Sequence, residues 1–379
     1  MPMCPQIPFR QGEVKGLDVR FFSAESAGII IAPDMDEQSI KDILSARRRG
    51  LLPGLLRAAL WLASRPYSLA VRLRRWMYRR GLRKRHQAGV PVICMGNLTT
   101  GGTGKTPMAA WAVNALKQAG RTPAVLTRGY KATGGKSDEA QLLAGLCDVP
   151  VIVNADRAAG AQQAVADGAD VLVMDDGFGH LRLRRDLDIV LIDATNPFGY
   201  GHCLPRGLLR EPTSALRHAD AVVITHADAA DEEALASLSR RIGQLAPSAS
   251  LHVAAHRPVR IIDHGGADLP VEALAGRKVF AFCGIGNPEY FFAMLAGLYA
   301  RCVGTWALQD HAAYTSEQIA LLRKKTEHCQ ADLLITTQKD FVKLAGLELP
   351  RPVWQLVVDM RITQGADELL QKVLAAAKT

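Results

Sequence analysis

The chain has 379 residues, 48% of them hydrophobic and 22% charged, with a formal net charge of +9. That length favours two domains over one core, and the composition argues against a disordered or repetitive chain. Its seven cysteines, never spaced as Cys-x-x-Cys, argue against a disulfide framework or a zinc site and for reduced thiols in a cytosolic chain.

Residues 1–45 are mixed in character, without a signal-peptide hydrophobic region, and read as an amino-terminal extension. The charge is concentrated in the next segment. Residues 46–88 hold thirteen arginines and lysines and no acid, so nine less thirteen leaves the rest of the chain at −4. Leu51, Leu52, Leu55, Leu56, Trp61 and Trp76 interleave with these arginines, and the uncharged stretches are too short to span a bilayer. The pattern predicts amphipathic helices lying on an anionic membrane surface. A nucleic-acid arm and a plain packed surface helix are the competing readings of the same residues.

The chain is organised around Gly96-Asn97-Leu98-Thr99-Thr100-Gly101-Gly102-Thr103-Gly104-Lys105-Thr106-Pro107. A β-branched strand over 90–95 precedes it and a helix opening on Lys105-Thr106 follows, the context of a phosphate-binding P-loop. Backbone amides of Thr99, Gly101, Gly102, Thr103 and Gly104 would converge on phosphate oxygens. Lys105 would neutralise transferring charge, and the Thr106 hydroxyl would ligate Mg²⁺. Thr99 stands where the strict spacing wants glycine, which makes this a variant loop.

Strand-like runs then recur at 123–127, 151–153, 170–175, 188–193 and 220–225, separated by helical stretches such as about 157–167. Buried runs alternating with helices predict a doubly wound parallel sheet spanning 89–250. Active sites of such sheets lie at the carboxyl ends of the strands, where Arg128 and the pair Asp175-Asp176 fall. The two aspartates fit a Walker B role at a metal. A short β linker is expected over 251–270, then a second, smaller α/β domain over 271–379. There Gly284-x-Gly286 makes a poor dinucleotide fingerprint, because position 289 is glutamate. Thr225-His226-Ala227-Asp228 ends a strand much as the guanine-reading turn of P-loop GTPases does, so a nucleotide-dependent switch or chaperone is the alternative reading.

Several further motifs occur in order: Thr127-Arg128-Gly129-Tyr130, Ser137-Asp138-Glu139, Asp175-Asp176-Gly177-Phe178-Gly179-His180, Pro205 to Pro212 with Arg210-Glu211, Asp310-His311 with Tyr314, and Thr336 to Asp340. Together they resemble the tetraacyldisaccharide 4'-kinases of lipid A biosynthesis over about 45–375. The resemblance implies an ATP- and Mg²⁺-dependent kinase acting on the 4'-hydroxyl of a membrane-embedded acylated glucosamine disaccharide 1-phosphate. It implies a peripheral, monotopic enzyme on the cytoplasmic face of the inner membrane, with no nucleic-acid partner. Matched by motif, Asp138 and His311 form the catalytic pair beside Lys105, and Arg128, Tyr130, Arg210 and Glu211 belong to the substrate set. Two features depart from the family. Ser137 and Ala140 flank the acidic pair after a shortened loop, and Gly179 stands where the family has glutamine.

Overall fold

A computed structural model describes residues 37–129, 138–310 and 312–378, the side chains of 37–39, 41, 138 and 139 excepted. Two helices open it, α1 (Glu37–Leu44) and α2 (Leu51–Arg79). The P-loop half follows: β1 (Val92–Asn97), α3 (Lys105–Gln118), β2 (Pro123–Thr127), α4 (Asp138–Cys147), β3 (Val151–Val153), α5 (Arg157–Ala166), β4 (Val171–Asp175), β5 (Leu187–Asp193), β6 (Ala221–Thr225) and α6 (Glu232–Leu245). Then come β7 (Ser250–Ile262), β8 (Asp268–Leu269), β9 (Lys278–Cys283), α7 (Pro288–Gly297), β10 (Arg301–Ala307), α8 (Ser316–His328), β11 (Leu333–Thr337), α9 (Gln338–Phe341), β12 (Val353–Gln364) and α10 (Ala366–Ala376).

The twelve strands among the described residues form one sheet, in the order β10-β9-β11-β12-β7-β6-β5-β1-β4-β2-β3, with β8 on β7. Every pairing is parallel except those of β7 with β12 and with β8. The parallel strands around β1 are buried on both faces, as crossover helices require. Val92 and Cys94 face one apolar cluster, while Ile93 and Met95 face the other, the period-2 alternation of a strand between two helical layers. The second half repeats this arrangement, with Val279 and Ala281 on one side and Phe280 and Phe282 on the other. β7 joins the halves: its first residues run parallel to β6, and the rest pairs antiparallel with β12. Helix α10 then returns to the P-loop half, where Leu369, Val373 and Ala377 complete the cluster of Ile93 and Met95.

The basic segment forms one 29-residue helix, α2, rich in leucine, alanine and arginine, with Pro66 inside it. It buries only Ser64 and Val71, leaving Leu51 89% and Leu52 78% exposed, with Leu55, Leu62, Leu69 and Leu73 also exposed. Polar contacts dock it, among them bonds from Arg74 to Gly179 O at 3.1 Å and from Arg75 to Phe178 O at 3.2 Å. Tyr67 donates its hydroxyl to Arg210 O at 3.0 Å, and Arg74 and Arg75 converge on the buried carboxylate of Glu211. Among the described residues, no helix is long and apolar enough to cross a membrane.

Candidate active site

The P-loop leaves β1 through Gly96, where no side chain fits: a Cβ would lie 2.4 Å from that of Phe178. Gly101 (φ +115°) and Gly104 (φ +81°) take left-handed conformations that turn the loop's amides inward. The loop is fixed from beneath by polar side chains. Asn97 Nδ2 donates to Thr103 Oγ1 at 2.9 Å, and Thr225 Oγ1 of β6 donates to Thr103 O at 3.0 Å. Helix α3 begins at Lys105 with no side-chain cap, so its first amides face the loop's concavity.

On the β4 side, Thr106 Oγ1 lies 3.4 Å from Asp175 Oδ2, at the strand end directly beside Met95 of β1. Lys105 Nζ lies 3.8 Å from Asp176 Oδ1. Burial alone would raise the Asp176 pKa, but Lys105 and Arg210 hold it well below the usual carboxylate range. Arg210 forks onto Asp176 with Nη1 2.8 Å from Oδ2, also reaches Asn97 Oδ1 through Nη2, and donates from Nε to Thr99 O at 3.1 Å. The loop ending in Arg210-Glu211 therefore ties three things together: the P-loop, the Asp176 strand end, and, through Glu211, helix α2. Gly179 serves the same junction, since a Cβ there would come within 3.3 Å of Glu211 Oε1.

The motif residues are only partly within view. Arg128 follows β2 at the carboxyl edge, and Asp138 opens α4. Tyr130, His311 and the Asp138 side chain lie outside the described residues. Asp310, beside His311, accepts from Lys339 Nζ at 2.8 Å. Lys339 belongs to the Thr336–Asp340 motif, whose Asp340 is fully buried and accepts the Gly284 amide at 2.9 Å. That bond pins the Gly284–Asn287 turn, which rests on the P-loop so closely that a Cβ on Gly286 would sit 2.2 Å from Gly102 N. Asn287 Nδ2 reaches Thr195 Oγ1 at 3.0 Å and Asp193 Oδ2 at 3.4 Å, so the same turn also fastens the second half to the end of β5.

Sequence reasoning did not single out Arg157 or Asn97. Arg157 opens α5, is 4% exposed, and has its pKa lowered chiefly by burial, while Asp176 and Asp175 attract its charge and Arg128 repels it. The available signal was a lone arginine among alanines and glycine on an otherwise apolar helix face.

The arrangement is a phosphate cradle with one lysine, one hydroxyl and two carboxylates at its β4 side. No group of three or more histidine, cysteine or acidic side chains that could hold a metal is gathered among the described residues. One hydroxyl and one or two carboxylates suit Mg²⁺ carried in with nucleotide phosphates, because that ion keeps much of its coordination from water and phosphate.

The profile of the tetraacyldisaccharide-1-P 4'-kinase family matches residues 56–375. The tetraacyldisaccharide 4'-kinase of Anaeromyxobacter sp. strain K is 38% identical over 356 residues, covering 87% of this chain and 94% of its own. That of strain Fw109-5 is 41% identical over 344 residues, covering 85% and 92%. The structure of LpxK from Aquifex aeolicus in complex with ATP superimposes with a TM-score of 0.66 at 26% identity, covering 85% of this chain and 99% of that one. With a P-loop, an Asp-Asp strand end and a second α/β half in the family's order, the chain belongs to the tetraacyldisaccharide-1-P 4'-kinase family.

Proposed function

We propose that the protein transfers the γ-phosphate of ATP to the 4'-hydroxyl of a tetraacylated glucosamine disaccharide 1-phosphate at an anionic membrane surface. The observation that carries this reading is the convergence of Lys105, Asp176 and Arg210 at the mouth of a P-loop fixed by Asn97 and Thr225.

In this reading the amides of Thr99 to Thr106 hold the β- and γ-phosphates, and Lys105 follows the charge as it moves to the leaving oxygen. Thr106 and Asp175 are the groups to hold Mg²⁺, with Asp176 supporting them. When bound, the ion neutralises developing charge between the β- and γ-phosphates. Asp176 stays ionised at every physiological pH because Lys105 and Arg210 oppose its protonation. A sugar hydroxyl is a weak nucleophile, so Asp138 accepts its proton and His311 orients that carboxylate. Arg128, Tyr130 and Arg210 line the approach of the anionic substrate, whereas Glu211, buried beneath Arg74 and Arg75, is a positioning residue for that loop rather than a substrate contact. The exposed leucines of α2 enter the interface while its arginines meet lipid head groups, which makes the protein peripheral on the cytoplasmic face of the inner membrane. A GTP-dependent switch would use the same cradle without passing phosphate to an acceptor.

The test is transfer of labelled γ-phosphate to the disaccharide acceptor. Wild-type protein should label it, and Lys105→Ala should abolish labelling while keeping the thermal transition, because Lys105 points into the site rather than into a core. Near-normal turnover by that variant would overturn the kinase reading.

A further inference from the structure

In the turn Thr225-His226-Ala227-Asp228 only Thr225 has a task in holding the phosphate loop, yet the rest of the turn is also built into the site. Thr225 holds the P-loop carbonyl of Thr103. His226 is 4% exposed, takes φ +53°, and lies with Nδ1 3.0 Å from Asp193 Oδ1. A non-glycine residue in that conformation is uncommon and signals a constrained position.

The direction of the nucleotide follows from the strand order. Asp175 and Asp176 stand at the end of β4 on one side of β1, and the Lys105 side chain reaches toward them, whereas β5 and β6 lie on the other side of β1. A nucleotide with its γ-phosphate at Lys105 therefore runs its nucleoside over the ends of β5 and β6, toward Asp193 and Asp228. An unengaged carboxylate at Asp228 would favour guanine, whose N1–H and 2-amino group stand side by side as donors. Adenine sets the acceptor N1 beside its amino group, so the same carboxylate repels it.

Asp228 is not unengaged. The hydroxyl of Tyr290, from the second half, lies 3.0 and 2.9 Å from its two oxygens. That tyrosine is itself fixed. Its oxygen accepts the His256 amide at 3.3 Å, and its ring lies 4.3 Å from that of His226. Its own amide donates to Asn287 Oδ1 at 3.2 Å in the cap of α7.

We propose that Tyr290 is a specificity-determining residue for the phosphate donor: by engaging both oxygens of Asp228 it withholds the carboxylate that would select guanine, and so leaves adenine unopposed. The proposal rests on the reading of the protein as an ATP-dependent kinase and adds which residue sets the choice of base.

The experiment compares kcat/KM for GTP and for ATP with the disaccharide acceptor in the full chain. Wild type should favour ATP. Tyr290→Phe should raise the GTP-to-ATP ratio by about tenfold or more, the scale of a hydrogen bond to a charged group. Adding Asp228→Ala to that variant should return the ratio to the wild-type value. A ratio unmoved by Tyr290→Phe, or one that stays raised in the double variant, overturns the proposal. Asp228→Asn in the otherwise unaltered chain provides a test that does not depend on the folding of the tyrosine variant. It should leave the ratio unchanged, and a shift would show that Asp228 already reads the base. A folded wild type that transfers no phosphate from ATP would instead overturn the underlying reading.

Discussion

Arg210 grips Asp176 with two nitrogens and, through a third, holds the P-loop carbonyl of Thr99. The geometry needs a planar fork, which lysine cannot supply. Arg210→Lys should therefore lose nearly as much turnover as Arg210→Ala, about tenfold or more for both, taking the scale of charge-assisted hydrogen bonds. Steady-state kinetics at saturating Mg²⁺-ATP would check this. Full activity in the lysine variant would reduce Arg210 to a point charge.

Asp138 and His311 are expected to act as a unit. Each alanine variant should lose chiefly kcat, by about 10²–10⁴-fold, with KM for ATP nearly unchanged. The double variant should be little worse than the poorer single one. Multiplicative losses in the cycle would show independent roles, and a negligible loss at Asp138 would move the base to Asp175 or Asp176.

Helix α2 offers a separation of membrane binding from folding. Leu51, Leu52, Leu55 and Leu62 are exposed, so replacing them with serine should leave the thermal transition in place. Each leucine withdrawn from an apolar interface forfeits about 1.5–3 kcal/mol, so the quadruple variant should leave anionic vesicles in a sedimentation assay. Retained binding would place attachment elsewhere. Arg74 and Arg75 are poor targets for this purpose. Both meet Glu211, which is 3% exposed, and removing either leaves part of a buried charge unopposed.

Acid should destabilise the fold through two histidines kept neutral. Burial, then Arg157 and Arg185, lowers the His180 pKa to about 4, and burial with His226 lowers that of His256 to about 3. The unfolded chain binds these protons near 6.5 and the folded chain does not, so stability is full above about 6.5 and falls as pH drops toward those values. The melting temperature should decline from pH 7 to pH 5, and His180→Asn should flatten that slope. An unaltered slope would remove His180 from the account.

The centre of this fold was legible because its signals are local. A β-branched run, a glycine turn and Lys-Thr sit within twenty residues, and the strands at 123–127 and 151–153 fall where alternation placed them. Helix α7 likewise follows its Asn287-Pro288 start. What was hidden depends on partners distant in sequence. Strand β10 is half-exposed at a sheet edge and carries little hydrophobic pattern. β7 and β12 run far longer than their apolar stretches because they pair with each other as a ribbon, where Arg257, Arg260, Asp359 and Arg361 need no burial. Arg210 was visible as a motif residue, but its hold on Asp176 spans 34 positions and leaves no periodic trace. The seating of Tyr290 on Asp228, 62 positions away, is of the same kind.

The return of α10 to the face of Ile93 and Met95 also governs when the protein can become an enzyme during its synthesis. The ribosome delivers the P-loop early, but Leu369, Val373 and Ala377, which fill the layer behind it, emerge only after β12. The nascent kinase half therefore waits with an open apolar flank until the rest of the chain is out. Messages cut short before α10 yield proteins that carry every phosphate-binding residue yet expose the core on which that loop is founded, which makes them substrates for chaperones and proteases rather than partial kinases.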